Sequence, residues 1–392
     1  MNLLLWALGI AGFLVNADNR SIAPLLPAIA DDLMIRESSA GLLVSAYSIP
    51  YGLFQLIYGP IADRIGKLRT ISIALVFFSL GTVACSFTDS FNTLLALRVM
   101  NGIFAAGIIP ATIAHIGDSV PFEKRTAAIA FFMSFCMSGQ ALGIVFGSML
   151  AQFFSWKTLF LIVGLTGFGV SMVFLLRQSA TVRLPVPPQA SLLDRYRKIF
   201  MGSRAWIVYG SVCLEGMLLF GGFTYLGVYA NRILGLDYFQ IGLLTAGFSV
   251  AAFGGTWFVP RIIRRVGQHR MPLLGSIILT AAFSLIWLIT DWRSLCGGFF
   301  LLGVGYILLH TSLQTYATEL LPESRGICVS LFAFFLFLGN GLGPILFGLF
   351  YDWNGAGGML AAATGCLVLF TFFCQVAFRH FDATGSNVKV PT

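Results

Sequence analysis

Apolar residues fall along this chain in runs long enough for a helix of about 20 residues to cross a bilayer core, and polar residues gather in the short gaps between them. The pattern predicts helices over residues 3–30, 39–61, 69–87, 92–116, 126–153 and 157–176. A polar, proline-bearing stretch follows, and six more runs come after it: 204–233, 240–263, 270–290, 293–318, 325–350 and 359–378. The first run is too long for the apolar core of a signal peptide and lacks a cleavage-like end, so it reads as a retained helix. An all-α membrane protein of twelve transmembrane helices is expected. Its N-terminal bundle would be 1–176, its linker 177–203, its C-terminal bundle 204–378 and its tail 379–392.

Composition agrees with this pattern. Some 57% of the 392 residues are apolar and only 10% are charged, against about 25% charged in a soluble chain. Disorder, a disulfide-rich secreted scaffold and a DNA-binding domain are excluded. The net charge of +8 is not arranged as a basic stripe interleaved with aromatics, so no nucleic-acid partner is expected. It reads instead as topology. Eighteen of the 24 basic residues lie in alternate loops, the linker and the tail, whereas the opposite loops hold Arg36, Lys157, Arg232 and Arg293. The positive-inside rule then puts both termini and the linker in the cytoplasm. The expected location is a plasma membrane, in a bacterium the inner one. The seven cysteines mostly lie inside apolar runs and read as small buried hydrophobes.

The halves repeat. Arg125 leads into Gly139-Gln140-Ala141-Leu142-Gly143, and Arg325 leads into Gly339-Asn340-Gly341-Leu342-Gly343 at an offset of 200. The loop from Asp63 to Arg69 recurs as Arg264 to Arg270. Two repeated six-helix halves are a transporter design, with substrate held between them near mid-membrane.

The string Gly59-Pro60-Ile61-Ala62-Asp63-Arg64-Ile65-Gly66-Lys67-Leu68-Arg69 is similar to the signature loop of the major facilitator superfamily. Over nearly its whole length the chain resembles the twelve-helix drug:proton antiporters of that superfamily. The resemblance implies the major facilitator fold, two pseudo-symmetric six-helix bundles, and a gate latch of Gly59, Asp63, Arg64, Gly66 and Asp118 that holds the outward-facing state. Leu95 to Gly102 resembles a second motif, with Asn101 where a glutamine is usual. Its arginine, Arg98, would tune a nearby carboxylate; the plainer reading has Arg98 snorkelling outward. Gly139, Gly143 and Gly147 share one helix face and resemble the antiporter motif, although Ile144 and Ser148 depart from it. They read equally well as packing glycines.

The first helix carries Asp18-Asn19-Arg20 inside its apolar run, followed by Pro24 and Pro27, which free the carbonyls of Arg20 and Ala23. Such a segment is tolerated only beside protein or water. Glu215 is the other deep carboxylate. Asp18 and Glu215, with Arg98, are the candidates for proton coupling, against a fixed Arg20–Glu215 ion pair that would lock the halves together. His310 is either a titrating partner or a hydrogen-bonded filler. Candidate substrate contacts are Arg20, Asn19, Tyr47, Tyr51, Gln55, Gln140, Tyr225, His310, Gln314 and Asn340.

No nucleotide-binding loop, metal-ligand set or catalytic constellation stands out in the sequence, so neither cofactor, metal nor enzyme activity is expected. The function these features imply is proton-coupled efflux of a small amphipathic or drug-like compound by alternating access in a monomer. An anionic or zwitterionic metabolite or chelator anchored by Arg20 is the alternative cargo. A transport-inactive membrane sensor is the alternative class.

Overall fold

The computed structural model describes residues 3–176 and 192–383; the expectations placed on 177–191 and 384–392 lie outside the described residues. Six helices form the first half: α1 (Leu3–Asp32), α2 (Glu37–Ile65), α3 (Lys67–Cys85), α4 (Phe91–Ser119), α5 (Phe122–Phe153) and α6 (Trp156–Leu176). The second half begins with α7 (Ser203–Arg232), α8 (Tyr238–Val266), α9 (Met271–Leu288) and α10 (Trp292–Glu319). The final run, Arg325–Ala383, is two helices joined at Gly355, whose φ of 65° lies in the region glycine enters without steric cost. They are α11 (325–354) and α12 (356–383).

Among the described residues ten helical segments are long and apolar enough to cross a membrane. The last of these holds both α11 and α12. The thirty-residue α1, whose apolar run is interrupted by Asn16, Asp18, Asn19 and Arg20, completes the twelve. Part of the expected linker is also helical: Leu192–Phe200 forms a short helix, tied by Lys198 to Glu323 of the second half at 3.6 Å.

The sequence repeat is also a packing repeat. Gly139 and Gly143 of α5 face the backbone of α1 at Phe13 and Ala17. Gly339 and Gly343 of α11 face α7 at Cys213 and Met217, positions 200 further along. Absence of a Cβ lets each helix pair approach backbone to backbone. The glycines singled out in α5 therefore pack within their own bundle.

The bundles meet along α2 with α11, α5 with α8, and α1 with α7, pairs that the repeat interchanges. At one end this seam is dense. Arg232 donates to Glu37 at 3.0 Å and pairs with Asp31. The Tyr238 hydroxyl donates to Asp31 at 3.2 Å, and Ser38 donates to Asp352 at 2.9 Å. Deeper in, Asn340 donates to Ser48 at 3.2 Å, and Tyr51 packs on Phe337 with ring centroids 4.3 Å apart. At the opposite end, among the described residues, ion pairs stay on one side: Lys67 with Asp118, Arg325 with Glu319, and Lys198 with Glu323. The halves are closed at the Asp31 end and parted at the Asp63 end.

Candidate functional site

Where the bundles face each other at mid-helix, two carboxylates lie in the apolar interior, each beside a cationic or cationisable group. Asp18 of α1 accepts from Arg98 Nη1 of α4 at 2.7 Å, and both side chains are inaccessible to solvent. Arg98 therefore points inward rather than snorkelling. Its guanidinium lies 4.5 Å from the centroid of Tyr47 and 5.8 Å from that of Phe160. One turn on, Asn101 donates to Thr82 at 3.2 Å. Asp18 Oδ1 and Arg98 Nε and Nη2 make no hydrogen bond among the described residues. A buried ion pair with spare donors and acceptors is costly, because desolvation of both charges is only partly repaid.

The second carboxylate is Glu215 of α7, buried, with its Oε1 3.4 Å from Nδ1 of His310 on α10. The His310 ring stacks on Tyr306 at 4.8 Å and meets Phe332 edge-on at 5.1 Å. Immediately after Glu215 the backbone widens into a π-helical turn, Gly216–Phe220. Such turns recur at functional sites, where one extra residue in the turn re-aims the neighbouring side chains. Composition did not point to this turn; Gly216 at its start and Gly221 and Gly222 just after it are the signal that could have.

Arg20 does not pair with Glu215. Its guanidinium stands 4.2 Å over the ring of Phe220, near the hydroxyls of Tyr306 and Tyr51, with no carboxylate partner among the described residues. It is half-buried, as is Asn19 beside it. Gln140 donates to Asn16 at 3.4 Å, Gln55 lies at the Tyr51 hydroxyl, and Gln314 is exposed one turn from His310 toward the parted end. A recess of about 250 Å³ between α5, α8 and α10 includes Gln140 and Tyr306 in its wall.

Three of the expected substrate contacts are tightly packed in this state. Tyr225 is buried in the closed seam, where its hydroxyl donates to the Pro344 carbonyl at 2.8 Å and its ring stacks on Tyr351. Asn340 is spent on Ser48 in the same seam. Tyr47 is inaccessible beneath Arg98. Tyr225 and Asn340 are thus packed in the seam between the bundles, and Tyr47 is packed under Arg98 within the first bundle. In the expected latch, Asp63 and Arg64 are exposed at the parted end, Gly59 has open space around it, and Gly66 turns the chain between α2 and α3 at φ 95°. Asp118 pairs with Lys67 of its own bundle. The acids Asp31 and Glu37, which Arg232 joins across the seam, were not among the expected site residues.

Two six-helix bundles related by an internal repeat, with intramembrane charges between them, define a membrane transporter. The Major Facilitator Superfamily model matches residues 8–289 and 232–387, and the chain belongs to that family. It is 25% identical over 395 residues to an uncharacterized MFS-type transporter, YceJ, of Bacillus subtilis, covering 98% of this chain and 97% of that one. It is 28% identical over 275 residues to Multidrug resistance protein D of Escherichia coli, covering 68% of each. In fold it is similar to the inward-facing, unoccupied structure of a bacterial homolog to the human lysosomal transporter Spinster. The TM-score is 0.83 at 19% identity, covering 100% of this chain and 98% of that one.

Proposed function

We propose that this transporter exports a small amphipathic or drug-like compound from the cytoplasm in exchange for protons. It works as a monomer in a bacterial inner membrane with both termini cytoplasmic. The observation that carries the reading is the solvent-free Asp18–Arg98 pair, accompanied by Glu215 beside His310 on the other bundle. A carboxylate inside the membrane is retained chiefly where it works. A proton arriving on Asp18 cancels its attraction to Arg98 and frees α1 to shift against α4; loss of that proton restores the pair. With the positive-inside orientation, the parted end faces the cytoplasm, the state in which cargo enters. The latch of Gly59, Asp63, Arg64, Gly66 and Asp118 would engage only when that end closes, which fits its exposure here. The name of the Escherichia coli relative supports drug-like cargo.

Arg20 favours a second reading of the cargo. A cation over an aromatic ring, without a carboxylate of its own, suits an anionic or zwitterionic aromatic compound. Asn19, Gln55, Gln140, Gln314, His310 and Tyr51 would supply its remaining contacts.

Reconstitution in liposomes with an imposed pH gradient tests both. Wild type should drive uphill dye movement that Asp18→Asn and Glu215→Gln abolish. Equal, gradient-independent fluxes in all three would sink proton coupling. Loss of flux confined to carboxylate-bearing substrates in Arg20→Ala would select the anionic cargo.

A further inference from the structure

A groove of about 600 Å³ runs between α8 and α10; it shares Val250 and Ile307 with the wall of the Gln140–Tyr306 recess but includes none of the charged or amide side chains of the proposed transport site. Its wall is apolar from Val250 through Gly254 to Phe258 on α8 and at Phe300 on α10. Val250, Phe258 and Phe300 are 63%, 55% and 54% exposed, so the groove opens outward rather than into the protein. At the parted end it finishes in two guanidinium groups, Arg261 and Arg265, both exposed and neither ion-paired among the described residues. Residues 260–270 contain no acid at all. The first half lacks this arrangement. At an offset of 201, Pro60 stands where Arg261 does and Asp63 where Arg264 does.

From Val250 to Arg265 the helix rises roughly 22 Å, about half of a bilayer's ~40–45 Å including headgroups. Groove and cation pair therefore span one leaflet, with the cations at headgroup depth. We infer that the groove holds an acyl chain of an anionic phospholipid from the cytoplasmic leaflet, with Arg261 and Arg265 on its phosphate. Arginine forks match phosphate oxygens, and the apolar wall from Val250 to Phe258 matches the chain. Gly254 leaves the floor open, since a Cβ built there meets nothing within 4 Å.

Native mass spectrometry of the purified full chain with equimolar phosphatidylglycerol and phosphatidylcholine tests this. Wild type should retain phosphatidylglycerol over phosphatidylcholine by about tenfold. Arg261→Gln with Arg265→Gln should lose that preference, and Lys at both positions should restore much of it. Gly254→Trp fills the groove from a position with room for the side chain's root, and should lose bound lipid of both kinds. Arg264→Gln with Arg270→Gln removes the same charge from the same end of α8 and the turn after it, outside the groove, and should keep the wild-type preference. Equal retention of the two lipids by wild type overturns the inference. So does a loss in the Arg264/Arg270 variant as large as that in the Arg261/Arg265 variant, because bulk positive charge would then account for the binding.

Discussion

Arg98 Nη1 lies 2.7 Å from Asp18 Oδ2, joining α4 to α1 across 80 residues of chain, and solvent reaches neither side chain. Removing one member of a buried pair strands the other. Arg98→Ala should destabilise the protein by about 3–5 kcal/mol. Asp18→Asn keeps an oxygen for the guanidinium and should cost less. The double variant Asp18→Leu, Arg98→Leu should be more stable than Arg98→Ala. Thermal unfolding in detergent measures all three together with the single variants Asp18→Leu and Arg98→Leu, and a double variant no better than the sum of those two singles would mean the two residues do not act as a unit.

Glu215 and His310 form the corresponding relation in the second bundle, at 3.4 Å. His310→Phe preserves the ring between Tyr306 and Phe332 but removes the nitrogen facing the carboxylate. Proton uptake per transported molecule, followed with a pH dye trapped in the vesicles, should fall while substrate binding persists. Unchanged proton uptake would assign His310 to packing.

Arg232 binds two acids of the opposite bundle, Asp31 and Glu37. Such half-exposed pairs are each worth up to about 1 kcal/mol, and they exist only while this end is closed. Arg232→Ala should therefore shift the population toward the state open at that end, by about threefold or more. A cysteine replacing the buried Ser48 of the seam, in a chain without its native cysteines, should then react faster with a membrane-impermeant thiol reagent. An unaltered labelling rate would show that Arg232 does not hold the seam.

The α5 and α11 glycines make a sharper structural test. A Cβ on Gly139 would overlap the Phe13 carbonyl, and one on Gly339 would overlap that of Cys213. Ala at either site should lower stability by about 1–3 kcal/mol, read as a drop in unfolding temperature. Gly59→Ala, where a Cβ meets nothing within 4 Å, should leave that temperature unmoved although it lies in the signature loop. Equal effects at all three would mean that close helix approach is not what Gly139 and Gly339 provide.

Twelve spans, their division into two repeated halves and the family resemblance are all legible in the chain, because burial in lipid is imposed on each segment separately. Hydropathy, loop charge and an offset of 200 need no partner to be read. Asp18, Arg98 and Glu215 also stand out, since a charge in an apolar run is conspicuous alone. Their partnerships are not legible. Arg20 and Asp18 are two residues apart, yet one lies over Phe220 on α7 and the other meets Arg98 on α4. His310 is an unremarkable histidine until α10 sets it beside Glu215, and Tyr225 resembles a cavity aromatic until the closed seam takes its hydroxyl. Arg232, read only as an exception to the charge rule, becomes the clamp of that seam. These assignments depend on how each helix is rotated and which helix it touches, and close packing across the whole bundle, not any local pattern, sets both.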